Sequence, residues 1–333
     1  MDEMTSISEM QKFHFGCKVY CSDGEEGVLS HVCFAVPTRC LSHIGLRVGL
    51  LFGKMVYLPF AAVVSASGEG ITLKVTRAEL SSASQQAPSG ALLNSKSVIR
   101  NTITGAKGLL ELVAVQPESG ELAYLVAHNL RSGQDTLLRQ EVLTKLETGL
   151  ITIAISEAQL QAFPPYRSDR ELLQDVEKIL FDLAPLHVDF RGMNVRVVDG
   201  VLYLDGNISS SLRGEMVADQ SVGVMGLLEV KNHLVGDDQL ASDLALALGR
   251  DPRTRDLPIG VYPRLGVVRL SGAVHNVQEK AAAEEIARAF PGVCSVVNDL
   301  IVNPNAEVLN VMASAAGGEA EDSVPGKYVR HTK

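Results

Sequence analysis

The sequence contains no tryptophan, and aromatic residues make up only 5% of its 333 residues. So low an aromatic content leaves little material for stacking nucleic-acid bases or for the aromatic belt of a membrane protein. A basic excess is also missing, because 30 lysines and arginines face 39 aspartates and glutamates, for a formal net charge of -9. A general nucleic-acid binder usually carries the opposite excess. We therefore expect no DNA partner, and the composition argues against RNA.

A secretion signal and a membrane-spanning segment are not expected either. The N-terminus reads MDEMTSISEMQKFHFG, which has neither the basic start nor the apolar stretch of a signal peptide. The most apolar window, residues 48–64, is interrupted by Gly49, Gly53, Lys54 and Pro59. It is also shorter than the roughly 20 residues that a spanning helix needs. We expect two short strands around a turn there, in a cytoplasmic protein, with peripheral contact at the inner membrane face as an open hypothesis.

The chain has five cysteines, and this odd number favours reduced thiols over a disulfide framework. Four of them lie within the first 40 residues: Cys17, Cys21, Cys33 and Cys40. Their spacings differ from the tight C-x2-C pair of zinc knuckles. Cys17 and Cys21 also fall on one face of a strand-like run. We predict buried thiols, no bound metal and no other cofactor, and we keep a metal site or a redox role for these four cysteines as the alternatives.

The second half of the chain contains one pattern twice. Residues 201–208 (VLYLDGNI) align with residues 267–274 (VVRLSGAV), an offset of 66 positions. At the same offset, residues 226–234 (GLLEVKNHL) align with residues 292–300 (GVCSVVNDL). Two motifs that stay in register without a gap indicate an internal duplication.

Both copies predict the element order helix–strand–strand–helix–strand. Amphipathic spacing, with a serine or aspartate able to cap the start, predicts the first helix over residues 169–183. The matching helix of the second copy is predicted over residues 238–248. A turn, Asp-Gly in the first copy and Leu-Gly in the second, separates the two central strands, and Asp-Gly between apolar runs is a hairpin signal. The second helices are predicted over residues 211–222 and 276–290.

This order and its glycines resemble the BON domain family over residues 168–236 and 238–304. The resemblance is carried by motif glycines and asparagines at Gly206, Gly272, Gly226, Gly292, Asn232 and Asn298. We expect Gly206 and Gly272 to lie where a helix crosses the sheet, because glycine in a strand marks close backbone approach. We expect the asparagines to bond local backbone groups, with ligand contact as the alternative. The resemblance implies association with membranes, phospholipids or other proteins.

The first half contains a weaker duplication. Residues 70–80 (GITLKVTRAEL) align with residues 150–160 (LITIAISEAQL) at an offset of 80 positions. Short apolar runs with turn signals between them predict two small all-β barrels. In the first barrel we predict six strands, over residues 17–20, 27–36, 42–47, 54–58, 63–67 and 71–75.

The first of these copies resembles the PRC-barrel family. The resemblance is carried by the Gly-x-x-Val segment 16–19, the turn DGEEG at residues 23–27 and the run FGKMVYLPFAAV at residues 52–63. In that run a glycine and a lysine precede a strand that ends at a proline. The second copy has RSGQD at residues 131–135 and no matching proline, so its completeness stays open. The resemblance implies protein or ribonucleoprotein contacts, as in a photosynthetic reaction-centre subunit and in ribosome-maturation factors.

These patterns predict a multidomain chain with two small all-β PRC-type barrels followed by two α+β (αββαβ) BON-type domains. The predicted boundaries are residues 11–80 and 92–162 for the barrels and residues 168–236 and 238–304 for the BON-type domains. Residues 81–91 are small and polar, which favours a flexible linker. Residues 305–333 contain few apolar groups, which favours a disordered tail.

No P-loop, G-x-S-x-G or H-E-x-x-H motif is present in the sequence, so we predict no catalytic residue and no enzyme. One basic loop stands out, because Arg250, Arg253 and Arg255 lie together in GRDPRTRD. Three guanidinium groups in one loop can bind a phosphate or a carboxylate. The loop also contains two aspartates that can neutralise it locally. A binding loop and a solvated, internally paired loop therefore both remain open.

We therefore expect a non-enzymatic binding or scaffolding protein whose tandem small domains associate with a protein or a phospholipid surface. Several modules on one chain raise avidity, and exposed sheet edges also allow self-assembly into homo-oligomers. Two alternatives remain. The first is a ribosome-assembly or RNA-associated factor, which the near-neutral charge of the PRC-type half disfavours. The second is a metal or redox sensor built on the N-terminal cysteines.

Overall fold

The computed structural model describes residues 6–49, 53–131, 133–163, 165–183 and 189–305, so the predicted tail lies outside the described residues except for Asn305. Within these ranges the protein is mostly β with six α-helices, and it is multidomain. Two compact units divide the chain. The first comprises Met1–Ala184, Val195–Leu204 and Ala218–Asn232, and the second comprises Pro185–Asn194, Asp205–Val217 and His233–Lys333.

The first half folds as two copies of one seven-strand pattern. The first copy contains β1 (Gln11–His14), β2 (Lys18–Cys21), β3 (Gly24–Ala35), β4 (Cys40–Val48), β5 (Lys54–Pro59), β6 (Val63–Ser67), β7 (Gly70–Leu73) and the helix α1 (Arg77–Ser81). The second copy contains β8 (Ala91–Leu93), β9 (Val98–Asn101), β10 (Lys107–Val115), β11 (Leu122–Arg131), β12 (Gln134–Arg139), β13 (Leu143–Glu147), β14 (Leu150–Ile153) and α2 (Glu157–Ala162). The six strands predicted for the first copy are all present, with their ends shifted by up to three residues.

The first strand of each copy pairs with a strand of the other copy. β1 pairs antiparallel with β10, which places Phe13 opposite Val113. Reciprocally, β8 pairs antiparallel with β3, which places Leu92 opposite Cys33. The residue Ala91, predicted as the end of a flexible linker, is the first residue of β8. The two copies are therefore joined by strand exchange as well as by the chain.

Two sheets result from this exchange. The first has the order β5-β4-β3-β2-β7-β6 with β8 on β3. The second has the order β13-β14-β9-β10-β11-β12-β15 with β1 on β10, where β15 is the short strand Pro165–Tyr166. Side chains of both copies, from Phe13 to Leu160, form one continuous buried apolar cluster. Burial of this shared apolar surface stabilises both copies together.

The second half repeats the predicted order twice. The first copy contains α3 (Asp169–Asp182), β16 (Met193–Val198), β17 (Val201–Ile208), α4 (Ser211–Val222) and β18 (Glu229–Gly236). The second copy contains α5 (Asp237–Arg250), β19 (Ile259–Arg264), β20 (Val267–Val274), α6 (Val277–Ala289), β21 (Ser295–Asn298) and β22 (Ile301–Val302). The sheets have the orders β16-β17-β18 and β19-β20-β21, with β22 also on β20. The predicted order of elements is thus confirmed.

The central hairpins of these copies turn where the dipeptides predict. Asp199 and Gly200 have φ of 53° and 76°, and Leu265 and Gly266 have φ of 48° and 78°. Two successive residues with positive φ form the turn whose twist matches the strands of a hairpin. Aspartate tolerates this conformation, whereas leucine at position 265 is strained in it.

The core of the last copy lies between its helices and one face of its sheet. Leu240, Leu244 and Leu248 recur every four residues along α5 and are buried. They pack with Val268 and Leu270 of β20 in a single cluster that also contains alanines of α6. The small alanine side chains allow α6 to approach the sheet closely.

Candidate functional site

The sheet of the last copy exposes the face that points away from its helices. Side chains alternate along β20, so that Val268 and Leu270 are buried while Val267 and Arg269 are exposed. Pairing with the neighbouring strands places Arg269 opposite Val297 on one side. These exposed positions form a row across the sheet.

On the other side of β20, Tyr262 of β19 stands opposite Arg269, and Arg264 stands opposite Val267. The exposed fractions are 60% for Tyr262, 42% for Val267 and 39% for Val297. Large apolar side chains exposed together on one surface mark interaction sites more often than scattered ones do. We call this surface the outer sheet face; its residues are Tyr262, Arg264, Val267, Arg269 and Val297.

The outer sheet face is basic as well as apolar. Arg269 Nε lies 3.3 Å from Asp299 Oδ2, and both side chains are more than half exposed. Such an exposed pair is worth little and exchanges readily for another anion. Within the described residues, no carboxylate pairs with Arg264. The outer sheet face can therefore contact a partner surface whose outermost groups are negatively charged and whose deeper groups are apolar.

The predicted arginine loop lies at the end of α5 and is paired internally. Arg253 donates to both carboxylate oxygens of Asp251, at 3.1 and 2.9 Å, and to Glu285 at 3.0 Å. Arg255 lies 3.3 Å from Asp256. Arg250 is the exposed last residue of the helix. Two of the three arginines, Arg253 and Arg255, are thus paired with carboxylates.

The motif glycines are required by backbone geometry. Gly272 has φ of 124°, and a Cβ built there would fall on the carbonyl oxygen of Pro258. Gly206 has φ of 106°, and its Cβ would fall on the carbonyl oxygen of Gly192. The predicted neighbour, a crossing helix, is wrong, because the close contact comes from the backbone that enters the adjacent strand. Gly226 and Gly292, which belong to the same motif, have φ of 97° and 86° before the closing strands.

The motif asparagines lie in the closing strands, Asn232 in β18 and Asn298 in β21. The amide of Asn298 donates to the Lys280 carbonyl at 3.0 Å and to Glu284 at 2.9 Å. Its side-chain oxygen accepts from the Leu300 amide at 3.3 Å. Asn298 therefore joins α6 to the closing strand, through backbone groups and one carboxylate.

The four N-terminal cysteines are all free thiols, located in different strands or turns. Cys21 and Cys33 are buried, and Cys17 and Cys40 are half-buried. Burial raises the pKa of Cys17 to about 11, which keeps this thiol protonated and unreactive at neutral pH. In the part of the chain that the structure describes, no group of three or more His, Cys, Asp or Glu side chains is arranged to hold a metal ion.

A buried polar cluster in the first unit is not indicated by any sequence motif. The Asp199 carboxylate is 1% exposed and lies 2.5 Å from Nε2 of His14. It also accepts the Gly68 amide at 2.9 Å. Burial by itself raises the pKa of Asp199, but these hydrogen bonds and the charge of Lys12 outweigh it and hold the pKa below its ordinary value. Sequence reasoning identified Asp199 only as part of a hairpin turn.

The neighbouring carboxylate Glu229 is held in a similar way. It accepts hydrogen bonds from the Ser6 hydroxyl at 2.6 Å, from the Ser8 amide at 2.8 Å and from Lys231 at 2.8 Å. Burial by itself raises the pKa of Glu229, but the hydrogen bonds from these donors outweigh burial and lower the pKa to about 2. Lys12 is 3% exposed, and burial lowers its pKa against the attraction of Asp199, Asp169 and Glu229. The cluster contains both signs of charge and is a structural network.

The sequence of the last copy matches a known domain family. Residues 236–304 match the BON domain family, so the chain contains a BON domain over this segment. Within the described ranges, no helix combines the length and apolar character needed to cross a membrane.

Among curated proteins, the chain is similar to osmotically-inducible protein Y of Escherichia coli (strain K12), with 30% identity over 121 residues. The match covers 32% of this chain, and it spans 60% of the length of that relative. Among solved structures, the chain is similar to CdsD, a structural protein of the type III secretion system of Chlamydia trachomatis, with a TM-score of 0.33 and 17% identity over 44% of this chain and 66% of that one. The C-terminal domain of CdsD gives a TM-score of 0.33 and 17% identity over 45% of this chain and 71% of that one.

Proposed function

We propose that this protein is a non-enzymatic scaffold that binds an anionic phospholipid surface through its BON domain. The observation that carries the proposal is the outer sheet face, where Tyr262, Val267 and Val297 are exposed beside two arginines. Each basic residue near an anionic membrane contributes about 1 kcal/mol, and exposed apolar side chains add to this by burial between the headgroups. The resemblance of the sequence to BON domains also implies binding to phospholipids.

The proposal includes the rest of the predicted organisation. The element order of residues 168–236 repeats that of residues 238–304, which supports a second BON-type domain. The strand pattern of residues 11–80 recurs in residues 92–162, which supports two PRC-barrel-like repeats. We propose a cytoplasmic protein, peripheral at the inner membrane face, whose modules act together to raise avidity.

Vesicle co-sedimentation tests the proposal. The full chain is mixed at physiological salt with vesicles of equal parts phosphatidylglycerol and phosphatidylcholine, or of phosphatidylcholine alone. We expect pelleting with the anionic vesicles. The double variant Arg264→Glu and Arg269→Glu should lose at least about thirtyfold in affinity, because two contributions of about 1 kcal/mol each are removed. The double variant Lys96→Glu and Lys107→Glu, an equal charge change on two exposed residues of the first unit, controls for net charge.

Three results would contradict the phospholipid proposal. The first is equal pelleting with both vesicle types, and the second is pelleting no greater than that of a control protein. The third is a loss of binding with Arg250→Glu that equals the loss with the double variant, since this would move the site to the arginine loop.

A protein partner is the second candidate, and Tyr262 is the observation that favours it. Tyrosine and arginine are enriched at the centres of protein interfaces, and both occur on the outer sheet face. A second copy of this chain is one such partner, because β19 is an edge strand that can pair with another strand. Light scattering over a dilution series tests self-association. A mass that stays monomeric at every concentration would eliminate the homo-oligomer.

A further inference from the structure

A cleft in the first unit is separate from the outer sheet face. It has a volume of about 300 Å³ and lies over the strands β11 and β12. Six apolar side chains line it: Ile7, Met10, Ala123, Leu137, Phe163 and Leu228. Ligand cavities begin at roughly this size, and it corresponds to about ten water molecules. The cleft is therefore large enough for a small organic molecule with an apolar body.

The rim of the cleft carries charge. Arg139 and Glu141 both line the cleft and are exposed. Gln140, between them, is fixed, because its side-chain amide donates to Glu121 at 3.3 Å and its carbonyl accepts from Arg39 at 3.1 Å. Within the described ranges, neither Arg139 nor Glu141 forms an ion pair with another side chain. The guanidinium of Arg139 is thus a free donor at the mouth of an apolar cavity.

We propose that this cleft binds a small apolar monocarboxylate, such as a medium-chain fatty acid. The hydrocarbon chain would lie against the six apolar side chains, where burial of apolar surface favours binding. The carboxylate would lie at the rim and accept hydrogen bonds from Arg139, whose planar fork matches a carboxylate in two parallel bonds. Glu141 would disfavour a second negative charge on the ligand, so that dicarboxylates are excluded.

Isothermal titration calorimetry of the full chain with octanoate tests this site. We expect saturable binding of octanoate and weaker binding of 1-octanol, which has the same chain without the charge. Arg139→Gln should weaken octanoate binding about tenfold, because it removes a charged hydrogen-bond donor. Arg100→Gln is the matched control, since Arg100 is an exposed strand arginine outside the cleft. Ala123→Leu should abolish binding by filling the cleft.

The variant Glu141→Gln identifies the ligand class. For a monocarboxylate it removes a like charge, so octanoate should bind about twofold to threefold more tightly. Leucine, which adds an ammonium group, is titrated beside it. Tight leucine binding that Glu141→Gln weakens would show that the occupant is a zwitterion and overturn the proposal.

Three other results would also overturn it. They are no heat from octanoate at millimolar concentration, equal binding of octanoate and 1-octanol, and equal effects of Arg139→Gln and Arg100→Gln. Because none of these measurements involves vesicles, their failure leaves the phospholipid proposal untouched.

Discussion

At the scale of single residues, the first unit depends on carboxylates that have exchanged water for protein donors. Asp199 and Glu229 are both held ionised, the first by His14 and the Gly68 amide and the second by Lys231 and two serines. A buried carboxylate is tolerated only when such donors satisfy it. Removal of the donors or protonation of the carboxylate should therefore destabilise the fold.

The pKa of Glu229 predicts a loss of stability in acid. Its folded value of about 2 lies below the ordinary 4.5, so the stabilisation is complete above pH 4.5 and is lost as the pH falls toward 2. Glu229→Gln should lower the free energy of unfolding at pH 7 by about 1–2 kcal/mol, since the site is partly exposed. Urea denaturation at pH 7 and pH 3 measures this, with the exposed Glu118→Gln as control. If Glu229→Gln lowers the free energy of unfolding by the same amount at pH 3 as at pH 7, the ionised Glu229 carboxylate does not supply the stabilisation.

For the hydroxyl of Tyr124 we expect the opposite effect on stability, because removing this polar group should not destabilise the protein. Tyr124 is 4% exposed, and its buried hydroxyl has no hydrogen-bond partner among the described residues. A buried polar group without a partner is costly, so its removal relieves the protein of a desolvation penalty. Tyr124→Phe should leave the melting temperature unchanged or raise it, with a gain of up to about 1 kcal/mol. A fall in melting temperature of several degrees in calorimetry would show that the hydroxyl is bonded.

At the scale of elements, the strand glycines determine how the BON domain pairs its strands. Gly272 stands opposite Ile259, and its positive φ lets the neighbouring backbone approach where a Cβ would collide with it. Position 272 thus requires glycine for two independent reasons. The same arguments hold for Gly206 in the first copy.

Gly272→Ala should lower the free energy of unfolding by about 2 kcal/mol or more, because of the backbone collision and the strained φ. The control is Gly249→Ala. A Cβ at Gly249, near the end of α5, meets no atom within 4 Å. There alanine should raise stability by up to about 1 kcal/mol, since it favours the helix. Chemical denaturation followed by circular dichroism gives both values. Equal effects of the two substitutions would refute this account.

At the scale of the whole molecule, strand exchange joins the two repeats of the first half into one body. β1 completes the sheet of the second repeat and β8 completes that of the first. Their buried side chains form one cluster. Because neither sheet is complete without the other repeat, we expect the two repeats to unfold in one cooperative transition.

Phe13→Ala tests this cooperativity. Phe13 belongs to the first repeat, is 0% exposed and stands opposite Val113 of the second repeat. Its truncation should cost about 3–5 kcal/mol. Hydrogen exchange should then accelerate equally in β3 and β10. Leu109→Ala, at a residue that is 44% exposed on β10, should change little. Faster exchange confined to one repeat would show that the repeats are independent.

Much of the secondary structure could be predicted from the sequence. The helix over residues 169–183 is observed as Asp169–Asp182, because its apolar spacing and its capping serine are both local signals. The hairpin turns are also local, since they depend on residues that tolerate positive φ. The arginine loop is a different case. Its pattern was visible, but the pairing of Arg253 with Glu285 joins residues on separate elements.

The sequence by itself determined the two duplications, the order of elements in each copy and the positions of the turns. These follow from periodicity and backbone preference, which act between near neighbours along the chain. Only the tertiary structure decided which strands are exchanged between repeats, where Asp199 and Glu229 find their donors and which face of the BON sheet stays exposed. Those outcomes depend on contacts between residues distant in sequence, and no local pattern specifies a distant partner.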